Sequence, residues 1–395
     1  QDCNCPLMLD NQHKQKLFYF LVVTNALGLF ENPYPDPKAA DYVGLDESNK
    51  FNEEATKETI VLAQNKANIL PINKGEKKIL VTGPTANLLR ILNGGWSYDW
   101  QGSNEQNYYQ YGKYKLTLAN AINRTNGERG VTFVEGANLT QLTNVNEAVE
   151  EAKRSDLIVL SIGEDVYAET PGNIFDLRLP QHQFDLANAL FALGKPVVVV
   201  YFGGRPRVIT EIAEKADAVL IGFLPGPRGT EAVADILFGN YNPNGRLPLS
   251  YPRYRNGFTT YDRRALEDTY NPLYEFGHGL SYTTFRYSGL SVTPTIASPT
   301  SKIEVSVNVQ NTGSRAGKET VMLYLNDEYA SVSRPVKQLK RFEKIYLEPG
   351  KDKTVKFELT VDDLSFINAK SEKVYEEGKF NVYIEKLTTS FELRK

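Results

Sequence analysis

Three carboxylates lie close together in residues 162–173, the acidic loop, which reads Ile-Gly-Glu-Asp-Val-Tyr-Ala-Glu-Thr-Pro-Gly-Asn. They are Glu164, Asp165 and Glu169, and they follow an apolar run that has the composition of a buried strand. A carboxyl group in such a loop can act as a general acid or base when its surroundings raise its pKa. Acidic side chains are also common in solvated loops, so a plain polar loop with a turn at its Pro-Gly pair is the alternative interpretation.

A second stretch, residues 94–102, is the aromatic loop and reads Gly-Gly-Trp-Ser-Tyr-Asp-Trp-Gln-Gly. It contains both tryptophans of the chain, Trp96 and Trp100, among glycines and polar residues that suit a core poorly. The flat apolar face of tryptophan is well suited to contact with a sugar ring. The alternative is a loop that folds these side chains under the domain. Together the two loops indicate a carbohydrate site, where hydrolysis of a glycosidic bond needs two carboxylates.

The segments that must position these loops are short apolar runs that each reach a glycine. They begin at Lys78, Asp156, Pro196 and Ala216. Continuous hydrophobicity is typical of strands that are buried on both faces, as in a parallel sheet. Apolar residues at helical spacing lie between the runs, within 184–191 and 233–237. The pattern predicts an open α/β sheet covered by helices, with its functional loops at the carboxyl ends of the strands.

Residues 283–395 alternate apolar with polar side chains in several runs separated by turn signals, which predicts an antiparallel β-sandwich. Near the other end, Pro33, Pro35 and Pro37 alternate and predict an extended linker. We therefore predict four segments: 1–56, a helix and linker; 57–255, the α/β domain; 256–282, a connecting segment; and 283–395, the β-sandwich.

The composition argues against several classes of protein. Lys and Arg number 45 and Asp and Glu 48, a net charge of −3, so a nucleic-acid partner is not expected. The three histidines, His13, His182 and His278, have no metal-ligand spacing, and no complete nucleotide-binding loop is present, so we expect neither a metal nor a cofactor. Cys3 and Cys5 are too close in sequence to bridge well, so the folded body needs no disulfide.

A run of apolar residues at 17–23 is too short to span a bilayer. We interpret it as a buried helix rather than as the core of a signal peptide. We expect no association with a membrane, and a secreted or periplasmic location rather than a cytoplasmic one.

Residues 24–395 resemble the C-terminal half of glycoside hydrolase family 3, the β-glucosidase family. The resemblance depends on seven stretches that occur in the family's order: 27–34, 68–72, 94–102, 163–173, 223–226, 234–248 and 274–285. It implies a catalytic (β/α)8 barrel, then an α/β sandwich domain, then a fibronectin type III-like domain. This sequence is similar to the last two. Residues 27–34 resemble the end of the barrel's final helix and the start of the interdomain linker, so the resemblance implies that segment 1–56 is a remnant of that helix with the linker.

The resemblance also assigns roles to single residues. It implies that Glu169 is the acid/base, with Glu164 as the fallback, although the earlier position of Glu164 suits loop shaping better. It implies that Trp100 lines the aglycone subsite, with Trp96 nearby. Many relatives have Gly-Asp where this sequence has Gly-Asn at Asn173, a departure that leaves the acid/base assignment in place.

The nucleophile of the family is a barrel aspartate, which has no counterpart here in the right context. Asp99, between Tyr98 and Trp100, is only superficially similar to the motif that contains the nucleophilic aspartate. A barrel takes about 250 residues, and the residues before the linker are too few to form one. We therefore expect the isolated chain to lack a nucleophile and to be inactive as a glycosidase.

The leading hypothesis is a retaining, exo-acting β-glucosidase in which this chain supplies the acid/base half of the active site. Its partners would be an oligosaccharide or β-glucoside substrate and a barrel in cis or in trans. The alternative is a non-catalytic fragment or a carbohydrate-binding remnant. A nucleotide-binding α/β protein is a weaker third hypothesis, because the phosphate loop is absent.

Overall fold

The computed structural model describes residues 11–42, 45–127, 130–257, 260–264 and 270–394. Cys3 and Cys5, and with them the expectation about a disulfide, lie outside the described residues. The chain divides into two compact units, residues 1–52 and 53–395.

The described α-helices are α1 Asn11–Ala26, α2 Asp46–Thr59, α3 Glu105–Tyr111, α4 Leu118–Asn126, α5 Val145–Arg154, α6 Gln181–Phe191, α7 Thr210–Lys215, α8 Gly229–Leu237 and α9 Val361–Leu364. Short 3-10 helices occupy Pro37–Tyr42, Lys66–Asn68, Arg90–Leu92 and Thr170–Gly172.

The described strands of the α/β domain are β1 Val61–Asn65, β2 Ile79–Thr82, β3 Val131–Val134, β4 Leu157–Gly163, β5 Val197–Phe202 and β6 Ala218–Phe223. Those that follow are β7 Phe285–Thr293, β8 Ile296–Ala297, β9 Ile303–Asn311, β10 Gly317–Asp327, β11 Gln338–Leu347, β12 Asp352–Leu359, β13 Phe366–Ile367, β14 Lys373–Val374, β15 Gly378–Ile384 and β16 Leu387–Leu393.

The first unit contains α1, and here the prediction of a buried helix is wrong in one respect. The apolar run does form a helix, but its side chains are exposed, with Phe18 at 68% and Tyr19 at 72%. The other described side chains of this unit, in the 3-10 helix Pro37–Tyr42 and the start of α2, are also mostly exposed. Among residues 11–42 and 45–52 of this unit, no second apolar layer covers the side chains of α1. Among the described residues, no helix has the length and hydropathy needed to cross a membrane.

The α/β domain has one six-stranded sheet in the order β1-β6-β5-β4-β2-β3. Neighbouring strands are parallel except β1, which runs antiparallel to β6 at one edge. All side chains of β4 and β5 are buried, because helices cover both faces and a separate hydrophobic core fills each side. This confirms the predicted open sheet and explains its continuous apolar runs.

The strand order determines which loops meet. β4 lies at the centre of the sheet, with β5 on one side and β2 on the other. The acidic loop leaves the carboxyl end of β4, the aromatic loop follows β2, and residues 203–207 follow β5. Because parallel strands end at the same edge, these three segments are neighbours in space.

The C-terminal part is a β-sandwich, as predicted. A five-stranded sheet in the order β11-β10-β15-β16-β8 faces a three-stranded sheet in the order β12-β9-β7. One apolar core fills the space between them, and β9 alternates buried with less buried side chains along its length. Across the described residues the sheets are open, and no closed (β/α)8 barrel is formed.

Candidate functional site

The acidic loop begins tightly packed against the neighbouring strand. β4 ends at Gly163, where a Cβ atom would overlap the carbonyl oxygen of Phe202 on β5. The next residue continues the pairing, since the N–H of Glu164 donates to the same carbonyl over 3.1 Å. Glycine at this position therefore lets the loop start from the centre of the sheet in a fixed direction.

Glu164 lies at the base of the loop, in a buried ion cluster. Its side chain is only 6% exposed, and its Oε2 accepts from Nη1 of Arg207 over 2.8 Å and from Nε of Arg205 over 3.1 Å. Its Oε1 accepts from the backbone N–H of Arg205 over 3.2 Å. Both carboxylate oxygens are thus engaged by fixed donors, which favours a structural role for Glu164 in shaping the loop.

The two arginines also hold the loop and its continuation at later points. Arg205 donates from Nη1 to the carbonyl of Gly172 over 2.5 Å, and its guanidinium lies 4.0 Å from the ring centroid of Tyr167. Arg207 donates to the carbonyls of Leu177 over 2.9 Å and Arg178 over 2.6 Å. The sequence analysis missed these two arginines, although the Gly-Gly-Arg-Pro-Arg stretch after β5 could have indicated a functional loop at the carboxyl end of that strand.

Glu169 lies between these anchored points and is exposed to solvent. Its backbone has φ 54° and ψ −141°, in the left-handed half of conformational space that non-glycine residues rarely adopt. The N–H of Gly172 donates to the Glu169 carbonyl over 2.9 Å in the short 3-10 helix that follows. Such strained backbone persists only where its surroundings hold it, and it is concentrated at functional sites.

The aromatic loop presents its tryptophans at the surface rather than under the domain. Trp96 is 71% exposed and Trp100 47%, with their ring centroids 6.5 Å apart. The backbone closes the loop, since the N–H of Trp96 donates to the carbonyl of Trp100 over 2.8 Å. Two exposed indole rings near each other can form a platform for a flat ligand.

Asp99 accepts several hydrogen bonds that close this loop. Its carboxylate accepts from the N–H of Gly102 over 2.6 Å and from Nδ2 of Asn107 over 3.0 Å. Burial acts to raise the pKa of Asp99, but these hydrogen bonds, with those from the N–H groups of Asn104 and Ser103, outweigh it and lower the pKa. The carboxylate is therefore stabilised in its charged form as a loop-closing acceptor.

The structure brings the two loops into direct contact. The side-chain amide of Gln101 donates to the carbonyl of Ala168 over 3.1 Å, and its Oε1 accepts from the Ala168 N–H over 2.9 Å. Gly95 packs so closely on Ala168 that a Cβ atom there would overlap it. Trp100 and Glu169 are the chain neighbours of this hydrogen-bonded pair, whereas Glu164 lies apart from it at the base of the loop.

A second connection joins the loops through Arg90. Its Nε and Nη2 donate to the two carboxylate oxygens of Asp165 over 2.8 and 3.1 Å. Its backbone N–H donates to Glu105 of α3 over 3.1 Å, just after the aromatic loop. Asp165, one of the three carboxylates of the acidic loop, thus forms a bidentate ion pair with Arg90, which connects it to the segment around the aromatic loop.

A cavity of about 220 Å³ lies at the base of the acidic loop, lined in part by Glu164, Tyr167, Gly172 and Arg205. Burial, followed by the negative charge of Glu164, raises the pKa of the Tyr167 phenol. Among the described residues, no cluster of three or more His, Cys, Asp or Glu side chains could hold a metal ion. The functional side chains that the described loops present at this edge of the sheet are carboxylates, arginines and aromatic rings.

Comparison with known proteins gives the following matches. The model of the Glycosyl hydrolase family 3 C-terminal domain matches residues 60–282, and that of the Fibronectin type III-like domain matches residues 319–387. The chain is 38% identical over 380 residues to the lysosomal beta glucosidase of Dictyostelium discoideum, covering 91% of this chain and 46% of that protein. It is 36% identical over 405 residues to the periplasmic beta-glucosidase of Salmonella typhimurium, covering 93% of this chain and 53% of that protein.

Among solved structures, the chain is similar to a beta-glucosidase from Listeria innocua that was crystallised in complex with laminaribiose. The TM-score is 0.86 at 32% identity, with 98% of this chain and 55% of that chain covered. The chain spans about half the length of the curated relatives that it matches.

Proposed function

Because the chain belongs to glycosyl hydrolase family 3, we propose that it forms the acid/base half of a retaining, exo-acting β-glucosidase active site. In this proposal Glu169 is the general acid/base, and Trp100, with Trp96 nearby, contacts the aglycone. The substrate would be an oligosaccharide or glucoside with a terminal β-D-glucosyl residue.

The observation that carries the proposal is the setting of Glu169. Its carboxyl group is exposed and so is accessible to a substrate, and its backbone is strained. The preceding residue, Ala168, is hydrogen-bonded to Gln101, which follows the exposed Trp100 in the chain. Glu164, the fallback, is enclosed by two arginines and would have to leave its ion pairs to transfer a proton. Geometry therefore favours Glu169 over Glu164 for the acid/base role.

The proposed reaction follows the two-step scheme of retaining glycosidases. Glu169 donates a proton to the glycosidic oxygen while an aspartate on a barrel attacks the anomeric carbon and forms a glycosyl-enzyme. Glu169 then accepts a proton from water as that water displaces the aspartate. The barrel would come from the same polypeptide or from a second chain, and residues 1–56 would be the end of its last helix and the linker.

Two relatives are described in their names as lysosomal and periplasmic, and this supports a non-cytoplasmic location for this protein. We propose, more narrowly, that it is secreted or periplasmic.

The test compares the chain alone with a fusion protein, the barrel-joined chain. In the fusion, the N-terminal half of the Salmonella typhimurium relative, which this chain does not match, precedes the chain. We expect the chain alone to release no nitrophenol from nitrophenyl β-glucoside and the barrel-joined chain to release it. Glu169→Gln should lower kcat for an alkyl β-glucoside by about 10²–10⁴-fold. The matched control is Glu150→Gln, at an exposed glutamate on α5, which should retain full activity.

A carbohydrate-binding remnant is the second candidate, favoured by the exposed pair Trp96 and Trp100. It predicts that laminaribiose quenches or shifts tryptophan fluorescence of the chain while no barrel, joined or added, produces hydrolysis. Hydrolysis by the chain alone would contradict both candidates.

A further inference from the structure

Arg205 contacts the acidic loop at three separate points along its length. Its Nε donates to Oε2 of Glu164 at the start of the loop, over 3.1 Å. Its guanidinium stacks on the ring of Tyr167 in the middle, at 4.0 Å from the centroid. Its Nη1 donates to the carbonyl of Gly172, three residues after Glu169. One planar side chain thus spans the segment that contains the proposed acid/base.

The backbone of Arg205 is itself fixed by buried partners. Its N–H donates to Glu164, and its carbonyl accepts from the hydroxyl of Tyr201 over 2.6 Å. Tyr201 belongs to β5 and is fully buried. A side chain at Gly203 would overlap Tyr201 and press on Glu164, so glycine is needed for this close approach. Arg205 is therefore anchored to the centre of the sheet, and the loop packs around it.

Arg205 restrains Glu169 from its C-terminal side, through the backbone of Gly172. The carbonyl of Gly172 is held by Arg205, and the N–H of Gly172 donates to the carbonyl of Glu169. A Cβ atom at Gly172 would overlap the ring of Tyr167, the same ring on which Arg205 stacks. On the N-terminal side, Ala168 is held by Gln101. The strained backbone of Glu169 thus lies between two fixed points, Ala168 one residue before it and Gly172 three residues after it.

We propose that Arg205 is a positioning residue that holds Glu169 in its left-handed conformation for proton transfer. The inference rests on the proposed function of Glu169, and it assigns Glu164 and Tyr167 to supporting Arg205. The fork of the guanidinium is essential, because lysine provides a single charged group and cannot bond Glu164 and Gly172 at once while stacking on Tyr167.

The first experiment does not depend on catalysis. Hydrogen exchange of the chain is compared between the unchanged protein, Arg205→Met and Arg205→Lys. We expect faster exchange in peptides covering 165–173 and unchanged exchange in β4 and β5. Arg205→Met should still fold, because Glu164 keeps its ion pair with the buried Arg207. Unchanged exchange in 165–173 would overturn the proposal.

The second experiment uses the barrel-joined chain and two leaving groups. Because kcat/KM reports formation of the glycosyl-enzyme, Arg205→Met and Arg205→Lys should lower kcat/KM for an alkyl β-glucoside by about 10- to 100-fold. For dinitrophenyl β-glucoside, whose leaving group needs no acid, kcat/KM should fall by less than about threefold. Gly172→Ala, which displaces the Tyr167 ring, should give the same selective loss. The control Arg124→Met, at an exposed arginine on α4, should change neither rate.

The outcomes separate the two proposals. If Glu169→Gln leaves both rates unchanged, the proposed function itself is wrong. If Glu169→Gln gives the selective loss but Arg205→Met lowers both rates equally or neither, Arg205 has only a structural role and the inference is overturned.

Discussion

Gln101 and Ala168 form a two-point contact, in which one side-chain amide satisfies both the N–H and the carbonyl of a single residue in another loop. Gln101 follows Trp100 in the chain and Ala168 precedes Glu169. A pair of hydrogen bonds therefore joins the residue after Trp100 to the backbone of the residue before Glu169. This contact makes one site out of two loops that follow different strands.

Gln101→Ala should loosen this contact. Two hydrogen bonds of about 0.5–1.5 kcal/mol each are lost, so we expect urea unfolding to show a loss of about 1–3 kcal/mol. Tryptophan emission should also shift, because the only two tryptophans of the chain lie in the aromatic loop. Gln110→Ala, at an exposed position on α3, should change neither property. An unchanged emission spectrum in Gln101→Ala would contradict the role given to the pair.

Glu164→Ala should lower the free energy of unfolding more than Gln101→Ala does. It leaves Arg205 and the buried Arg207 without their carboxylate partner, and breaking a buried ion pair in this way costs about 3–5 kcal/mol. Glu164→Gln should cost less, because the amide oxygen can still accept a hydrogen bond. Urea unfolding of the two variants side by side measures the difference. Equal stability of Glu164→Ala and the unchanged chain is the outcome that this account excludes.

Asp99 should make the aromatic loop sensitive to acid. Its pKa is lowered from 3.8 in the folded chain, so its carboxylate favours the folded loop above that pH and loses this effect as the pH falls through the lowered value. Tryptophan emission should report this acid transition, with far-UV circular dichroism as the control for global unfolding. Asp99→Asn keeps an acceptor for Gly102 and should show no such transition. An identical acid profile in both proteins would count against the assignment.

His278 should make stability depend on pH near neutrality. Its Nε2 donates to the carbonyl of Ala63 over 2.7 Å, and its ring stacks on Tyr274. Burial, and after it the charge of Arg246, lowers the pKa of His278 from 6.5. Below pH 6.5 the unfolded chain therefore takes up the proton first, and the stability should fall as the pH decreases towards the lowered value.

The measurement for His278 is the midpoint of urea unfolding between pH 5 and pH 8. His278→Gln should flatten the decline below pH 6.5 relative to the unchanged chain. A decline that is equally steep in His278→Gln would show that another group is responsible.

The fold was predictable where both faces of an element are covered. β4 and β5 are continuous apolar runs because helices lie on both sides of the sheet. β3 was not identified, since among its four residues only Val134 is buried and the run has no clear period. β1 was not identified either, and its antiparallel direction could not have been predicted, because hydrophobic periodicity indicates burial but not strand direction.

The candidate site was predictable only in part, for a related reason. Glu169 and Trp100 lie in motifs that can be identified within one loop each. Arg205 and Gln101 act across loops, and their roles follow from the order β5-β4-β2, which places three segments distant in sequence at one edge. The exposure of α1 could not be predicted either, because an apolar run indicates what can be buried and not whether a covering layer is present.

The central claim, that Glu169 is the acid/base, is tested most directly by adding azide to the Glu169→Ala variant of the barrel-joined chain. Azide needs no general base, so with dinitrophenyl β-glucoside it should restore turnover and give β-glucosyl azide, identified by NMR. Glu164→Ala should give no such product. Glucose as the only product of Glu169→Ala, at a rate that azide does not change, would contradict the claim.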